Sequence, residues 1–259
     1  MNTLFIGKVW QHFDSLPSTN DYAAELLAAA SPQSRGLRGD GAVFTTFNQT
    51  FGRGQMGNRW LSEPDKNLAF TVILQPNFLL AREQFHLNKA VALAVHDVVS
   101  AVVGGGKSSV KWANDIFVLN QKVAGILIQN TLTGDRLQNA IVGIGLNINQ
   151  LDFSKDLNAT SLALETDHEL VLFDMVEKLA QALEHRYLSL KNATNFPTIH
   201  DEYLSKMYRF GVESLFQRTA DGHVFYGKIS GVSPVGKLEI ATADGLQNFD
   251  IKAVKFLQT

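Results

Sequence analysis

The chain contains no cysteine. Disulfides, thiolate metal sites and a cysteine nucleophile are therefore excluded. Proline is scarce, with six in 259 residues, and no low-complexity run occurs, so no stretch reads as a disordered linker. An excess of one charge is also lacking. The 23 basic and 25 acidic residues leave a formal net charge of −2, which gives no global field to draw the protein to nucleic acid or a membrane surface. The longest apolar region, "KAVALAVHDVVSAVV", is interrupted by His96 and Asp97 and is not read as a spanning helix. "MNTLFIGKVWQ" has no basic n-region and only a short apolar run, so no targeting segment is expected. These absences predict a soluble cytoplasmic protein with no membrane partner.

What is present is 45% hydrophobic residues, enough for one sizeable core plus a small second domain. "STN" (18–20) supplies N-cap residues ahead of the helix-forming "DYAAELLAAA", and "SPQSRGLRGDG" follows as a loop. "AVFTTF" (42–47) and "NLAFTVIL" (67–74) read as strands. A long helix is predicted from Ala81 to about Val103, ended by Gly104, Gly105 and Gly106. "SVKWAND", "IFVLNQKVAGILIQN" and "NAIVGIGLNIN" are rich in β-branched residues and adjacent in sequence, which predicts a mixed, largely antiparallel sheet. A helix is predicted from about His168 to Leu190, with Leu172, Val176, Leu179, Leu183, Tyr187 and Leu190 as its core stripe, and a short one over "PTIHDEYLSKM". Beyond Tyr208, short strands separated by "ADG", "SPVG" and "ADG" predict a small barrel. The boundary falls near residues 207 to 211, dividing the chain into 1–208 and 209–259. The fold class is thus α+β, a sheet flanked by helices with a C-terminal β-barrel.

Four segments carry polar chemistry. "FGRGQMGNRW" (51–60) has three glycines interleaved with Arg53 and Arg59 and closed by Trp60. Its glycines either merely permit tight turns, or they leave bare backbone amides and Arg53 free to approach an anion, with Trp60 as a stacking face. It contains G-x-G-x-x-G but opens no helix, so a dinucleotide fingerprint is excluded on context. "VVGGGKSS" resembles a P-loop, yet Ala101 stands where its first glycine belongs, and the segment follows a helix. In "VKWANDIFVLNQKVAGIL", Lys111 and Lys122 flank a turn at Asn114 and Asp115. If the two strands fold back, both lysines reach one site; otherwise they are two solvated surface cations. "GIGLNIN" places Gly143, Gly145 and Asn147 at the end of a buried strand, where glycines can simply relieve crowding. His86 and His96 do not share a helical face and no H-x-x-x-H occurs, so no protein metal cage is predicted. The absence of G-x-S-x-G excludes a hydrolase elbow.

The ordered set "STN", Gln49, "GRGQMGNRW", "NL" (67–68), "KWAND" (111–115), Lys122 with Gly125, and "GIGLNIN" resembles the biotin–protein ligase family over about residues 15 to 165. The resemblance implies a class II synthetase-like catalytic domain with an SH3-like C-terminal barrel. It implies a ligase acting in two steps: biotin is activated with ATP to biotinyl-5′-AMP, then passed to a lysine of a biotin carboxyl carrier protein. By the same resemblance, Ser18, Thr19, Asn20, Gln49, Gly52, Gly54, Gln55 and Gly125 belong to the biotin site. Arg53 and Lys122 grip the carboxylate and α-phosphate, and Lys111 reaches phosphate. Trp60, Asn114 and Asn147 meet the nucleotide or its magnesium, which arrives with ATP, and Asp115 is a candidate base for the incoming lysine. Three departures from the family pattern stand out. Gln55 and Met56 replace frequent arginines, Asn58 replaces another basic residue, and Ala113 stands where proline is usual; the first of these is expected to weaken retention of the adenylate. Because "STN" begins at residue 18, no N-terminal winged helix and no sequence-specific DNA binding are expected. A homodimer through an exposed sheet edge is possible. A lipoate ligase on the same fold and a non-catalytic adaptor are the competing readings.

Overall fold

The computed structural model describes residues 1–29, 36–154 and 156–257. The start of the "SPQSRGLRGDG" loop therefore lies outside the described residues. The elements run β1 (Trp10–Phe13), α1 (Thr19–Ala28), β2 (Ala42–Thr46), β3 (Gly52–Arg53), β4 (Arg59–Trp60), β5 (Leu68–Leu74) and α2 (Gln84–Val103). They continue with β6 (Ser108–Lys111), β7 (Asp115–Val118), β8 (Gln121–Thr133), β9 (Arg136–Leu146), α3 (Leu162–Thr166), α4 (Leu172–Leu190) and α5 (Phe196–Ser205). Five strands close the chain: β10 (Glu213–Arg218), β11 (Val224–Val232), β12 (Leu238–Thr242), β13 (Gly245–Phe249) and β14 (Val254–Phe256).

The main sheet has seven strands in the order β1-β2-β5-β9-β8-β7-β6, and only β1 with β2 is parallel. Its two faces follow the period-two alternation of strand side chains. Val72, Leu74, Ala124, Ile126, Val142 and Ile144 point to one face and pack with α2, α4 and α5 into the main core. Ile73 and Ile141 point to the other face, where α1 covers only part of the sheet with Ala23. By the same alternation Ala69, Thr71, Gly125, Gly143 and Gly145 lie on this partly covered face. A strand reading "AIVGIGL" thus offers bulk to the core and space on the side away from it.

Among the described residues one helical stretch, Ala81–Val103, is long and apolar enough to cross a membrane, and most of it is buried inside the fold. The two residues that interrupt its apolar run each have a partner. His96 Nε2 meets Ser108, while Asp97 receives Arg186, whose guanidinium also binds Glu202. That network joins α2, α4 and α5. The C-terminal strands form an antiparallel sheet in the order β13-β12-β11-β10-β14, and their apolar residues Phe216, Ile229, Leu238 and Ile240 continue the main core. Trp112 Nε1 donates to Gly236 O at 3.0 Å and fixes the turn before β7 against this sheet.

One expectation is corrected. The helix predicted from His168 begins at Leu172, with Val171 as its N-cap. Asn149 holds Leu170 in an extended conformation, accepting from its N–H at 2.9 Å and donating to its carbonyl at 2.8 Å, so the side chain competes with helical bonding there. The chain does fold back at Asn114 and Asp115: β6 pairs with β7 and β7 with β8, so Lys111 and Lys122 stand on strands either side of β7.

Two carboxylates of α4 anchor the N-terminal segment: Glu177 accepts from Asn2 N–H at 2.9 Å, and Glu184 takes the three donors that follow. Glu184 accepts from the backbone N–H groups of Leu4, Phe5 and Ile6 at 2.6, 2.7 and 3.0 Å. Burial alone would raise its pKa, but the three donors and the nearby Lys8 outweigh it and hold the carboxyl below its ordinary value of 4.5. A depressed folded-state pKa contributes stability that is complete above the unfolded value and is lost as pH falls through the folded one. Glu184→Ala leaves three donors unmet and is expected to cost about 2 kcal/mol at pH 7. Thermal denaturation should show the difference from wild type shrinking below pH 4.5; a pH-independent difference would contradict this anchoring role.

Candidate active site

A cavity of about 720 Å³ opens on the partly covered face of the main sheet. Its floor is built by three glycines. A Cβ on Gly143 would stand 2.0 Å from Asn20 Oδ1, and one on Gly145 would stand 2.4 Å from the Trp60 indole. Gly125, directly across from Gly145 in the ladder, leaves room for both Trp60 and the Lys122 ammonium. These glycines thus admit three polar or aromatic side chains onto the sheet.

One end of the cavity is polar and neutral. Ser18 Oγ caps α1 by accepting from Asp21 N. Thr19 donates through both its backbone N–H and its hydroxyl to Gln49 Oε1, at 2.9 and 3.2 Å. Behind them Thr71 Oγ1 lies 2.8 Å from Thr19 Oγ1 and 2.6 Å from Asn20 Oδ1. Its single hydroxyl hydrogen faces two acceptors, so this cluster keeps acceptor capacity for donors on a ligand. Asn20 Nδ2 reaches Leu127 O at the longer distance of 3.4 Å.

The other end is cationic. Lys122 Nζ pairs with Asp115 Oδ1 at 2.7 Å and sits 5.4 Å from the centre of the Trp60 ring. Lys111 stands beside Asp115 in the β6–β7 register, with its ammonium 4.7 Å from the Phe117 ring centre and 5.3 Å from that of Phe256. Burial lowers the Lys111 pKa; Asp115 opposes the shift, and Lys122 and Arg209 add to it. Asn147 Nδ2 donates to Thr160 O, while its Oδ1 is buried and unpartnered. Asn147 is among the residues that line the cavity.

The glycine-rich segment is a short hairpin, β3 with β4, over the cavity mouth. Arg53 lies half exposed there and pairs with Asp21 Oδ1 at 2.5 Å. Lys252, on the turn between β13 and β14, donates to Gln55 O at 3.0 Å, so a cation from the C-terminal sheet rests on the loop that lacks the usual arginines.

Of the sequence-predicted residues, Ser18, Thr19, Asn20, Gln49, Arg53, Gly54, Gln55, Trp60, Lys111, Asn114, Asp115, Lys122, Gly125 and Asn147 all line this cavity. Gly52 does not; a Cβ there would meet Trp60 O at 2.5 Å and Gln49 Nε2 at 2.7 Å, so it lets those two residues approach each other. Asn114 is also engaged structurally, since its amide donates to Ile126 O across the β7–β8 pair. Sequence reasoning missed Thr71, whose signal was a lone hydroxyl in the middle of an apolar strand. It also missed Lys252 and Phe256, which reach the cavity from the C-terminal sheet and carry no local signal.

Residues 13–147 match the biotin/lipoate A/B protein ligase family. The chain is 31% identical over 244 residues to the biotin–[acetyl-CoA-carboxylase] ligase of Paracoccus denitrificans, covering 90% of this chain and 95% of that protein. It is 30% identical over 253 residues to the bifunctional ligase/repressor BirA of Bacillus subtilis, covering 95% and 74% respectively. In fold it is similar to the biotin protein ligase of Aquifex aeolicus solved with biotin and ATP, with a TM-score of 0.77, 24% identity, and coverage of 97% of this chain and 100% of that one. From the matched motifs and the cavity they line, the chain belongs to the biotin/lipoate A/B protein ligase family, among its biotin–protein ligases.

Proposed function

We propose that this chain joins biotin to ATP as biotinyl-5′-AMP and transfers the biotinyl group to a lysine of a biotin carboxyl carrier protein. The observation that carries the reading is a single cavity with a neutral hydrogen-bonding end and a cationic end, bridged by Trp60 and Lys122. The names and ligands of its relatives agree with it. A neutral urea with N–H donors suits the spare acceptor capacity of Thr19, Asn20, Gln49 and Thr71, whereas a plain apolar acyl chain, such as lipoate carries, would leave that capacity unused.

In the first step the biotin carboxylate attacks the α-phosphorus of ATP and pyrophosphate leaves. Two anions must approach, so positive charge placed between them lowers the barrier. Lys122 occupies that position beside Asp115, and Lys111 stands next to it on the phosphate side. Arg53 joins when it exchanges Asp21 for the ligand, a change that costs about 1 kcal/mol or less for an exposed ion pair. Trp60 offers its indole to the adenine, and hairpin closure keeps water from the mixed anhydride. In the second step the amine of the acceptor lysine attacks the acyl carbonyl, AMP leaves, and Asp115 takes the proton.

The donor set fits magnesium only as a passenger of the nucleotide. Among the described residues no group of three His, Cys, Asp or Glu side chains is placed to hold an ion. The orphaned Asn147 Oδ1 supplies one neutral oxygen, which suits an ion whose other ligands are phosphate oxygens and water. Bound there, magnesium would neutralise phosphate charge.

Incubation of the chain with biotin, MgATP and a carrier domain should give one biotinyl mass increment on the carrier lysine; lipoate in place of biotin should give none. The reverse preference would replace this reading with a lipoate ligase. Gly143→Ala should displace Asn20 and raise the KM for biotin about tenfold with a smaller change in the KM for ATP, a loss of about 1.4 kcal/mol. Initial rates at varied biotin measure it, and an unchanged biotin KM would remove Asn20 from the biotin site.

A further inference from the structure

The hairpin over the active-site cavity depends on outside contacts to stay in place. Strands β3 and β4 share two paired positions, Gly52 with Trp60 and Arg53 with Arg59, and Gly52, Gly54 and Gly57 leave its backbone unrestrained. A two-stranded ribbon of that length is marginal by itself in water. Its two arginines are already engaged: Arg53 pairs with Asp21 on α1, and Arg59 lies 3.9 Å from the centre of the Phe51 ring. The tip between them, Gly54 to Asn58, carries no charge. At that tip Gln55 O accepts from Asn58 N–H at 3.2 Å and, from outside the hairpin, from the Lys252 ammonium at 3.0 Å. The turn that carries Lys252 is fixed. Lys252 has a left-handed backbone, φ 65°, and Thr219 Oγ1 donates to its carbonyl at 2.7 Å. Ala253 N–H donates to Asp250 O, and Thr219 N–H to Ala253 O, both at 2.9 Å. Asp250, the acid nearest Lys252 in sequence, is taken by Lys237 at 3.1 Å, which leaves the Lys252 ammonium to the hairpin. Thr219, Ile251 and Lys252 line the same cavity as Gln55, so the contact joins two parts of one wall.

We propose that Lys252 is a positioning residue that latches the hairpin: its bond to Gln55 O holds the hairpin over biotinyl-5′-AMP and keeps the intermediate bound until the acceptor lysine arrives. The inference rests on the proposed function and extends it to a residue outside the matched segment, residues 13–147. The bond is made to a main-chain carbonyl, so it does not depend on the side chain at position 55. A chain whose hairpin tip has Gln55, Met56 and Asn58 in place of cations thereby draws its charged contact there from the C-terminal sheet. Removing that contact raises the population of the open hairpin, and a ligand beneath it escapes in proportion. The bond is charge-assisted, but Lys252 is exposed, so the effect is moderate and screened by salt.

Amide hydrogen exchange of the full chain without ligand reads the latch by itself. Lys252→Met keeps an unbranched side chain and removes the donor; exchange over residues 52–60 should quicken about fivefold. Lys252→Arg keeps a donor and should restore slow exchange. Release of preformed biotinyl-5′-AMP, chased with excess biotin, should likewise quicken about fivefold in the Met variant and recover in the Arg variant. The difference in release between wild type and Lys252→Met should shrink as salt rises. Exchange and release both unchanged in Lys252→Met would overturn the inference. So would faster release with hairpin exchange unchanged, which would put Lys252 on the adenylate itself, and faster exchange with release unchanged, which would make the hairpin dispensable for retention. If exchange responds as described but wild type binds no biotinyl-5′-AMP, the proposed function fails while the hairpin contact stands.

Discussion

Lys122→Ala is expected to slow formation of biotinyl-5′-AMP by about 10²–10³-fold, the range for removing a preorganised charge from a developing anionic centre. Lys122 Nζ is placed by three neighbours: Asp115 at 2.7 Å, the Trp60 ring at 5.4 Å, and Gly125, whose missing side chain leaves it space. In the proposed reaction its ammonium stands between the carboxylate and the α-phosphate, so its removal would leave two anions facing each other with less compensation. The loss should fall on kcat of the first step more than on the KM for biotin, because the neutral end of the cavity is untouched. Pyrophosphate release in a single turnover measures it. Full activity in the alanine variant would place the joining step elsewhere in the cavity.

Asp115→Asn is expected to separate the two half-reactions. Transfer from preformed adenylate to the carrier lysine should fall about hundredfold, the lower range for loss of a general base. Adenylate formation should fall less, because Lys122 keeps its charge and an amide oxygen can still accept its hydrogen bond. Mixing purified biotinyl-5′-AMP with the carrier isolates the second step. If the variant transfers normally but fails to form the adenylate, the role of Asp115 is to position Lys122 and not to accept the proton.

Much of the site was legible because each motif residue carries its own local reason. Ser18 caps a helix, and caps are readable from three or four residues. The alternation in "AIVGIGL" fixes which residues reach the core, so the exposed-side position of Gly143 and Gly145 was implicit in the strand. What the alternation could not say is what fills the space they leave. Asn20 and Trp60 come from segments far away in sequence, and only the folded chain brings them to the sheet. Whether Lys111 and Lys122 share a site stayed open in the sequence for a similar reason. They stand either side of the strand Asp115–Val118, and its pairing with both neighbours is a tertiary fact.

The start of α4 was hidden because Asn149, 21 residues before Leu170, supplies the bonds that keep that segment extended. The contribution of the C-terminal sheet was hidden altogether. Lys252 and Phe256 sit in an ordinary turn and edge strand, and their approach to Gln55 and Lys111 depends on how that sheet seats against Trp112. Arg53 lines the cavity as a half-exposed cation, but its partner Asp21 is 32 residues away in sequence and gives no local signal.

The most direct measurement is the stoichiometry of pyrophosphate released when the purified chain meets MgATP and a limiting amount of biotin, with no carrier present. One pyrophosphate and one biotinyl-5′-AMP should appear per biotin supplied, and none should appear without biotin. Pyrophosphate release that ignores biotin, or ATP left intact in its presence, would contradict a cavity built to join these two anions.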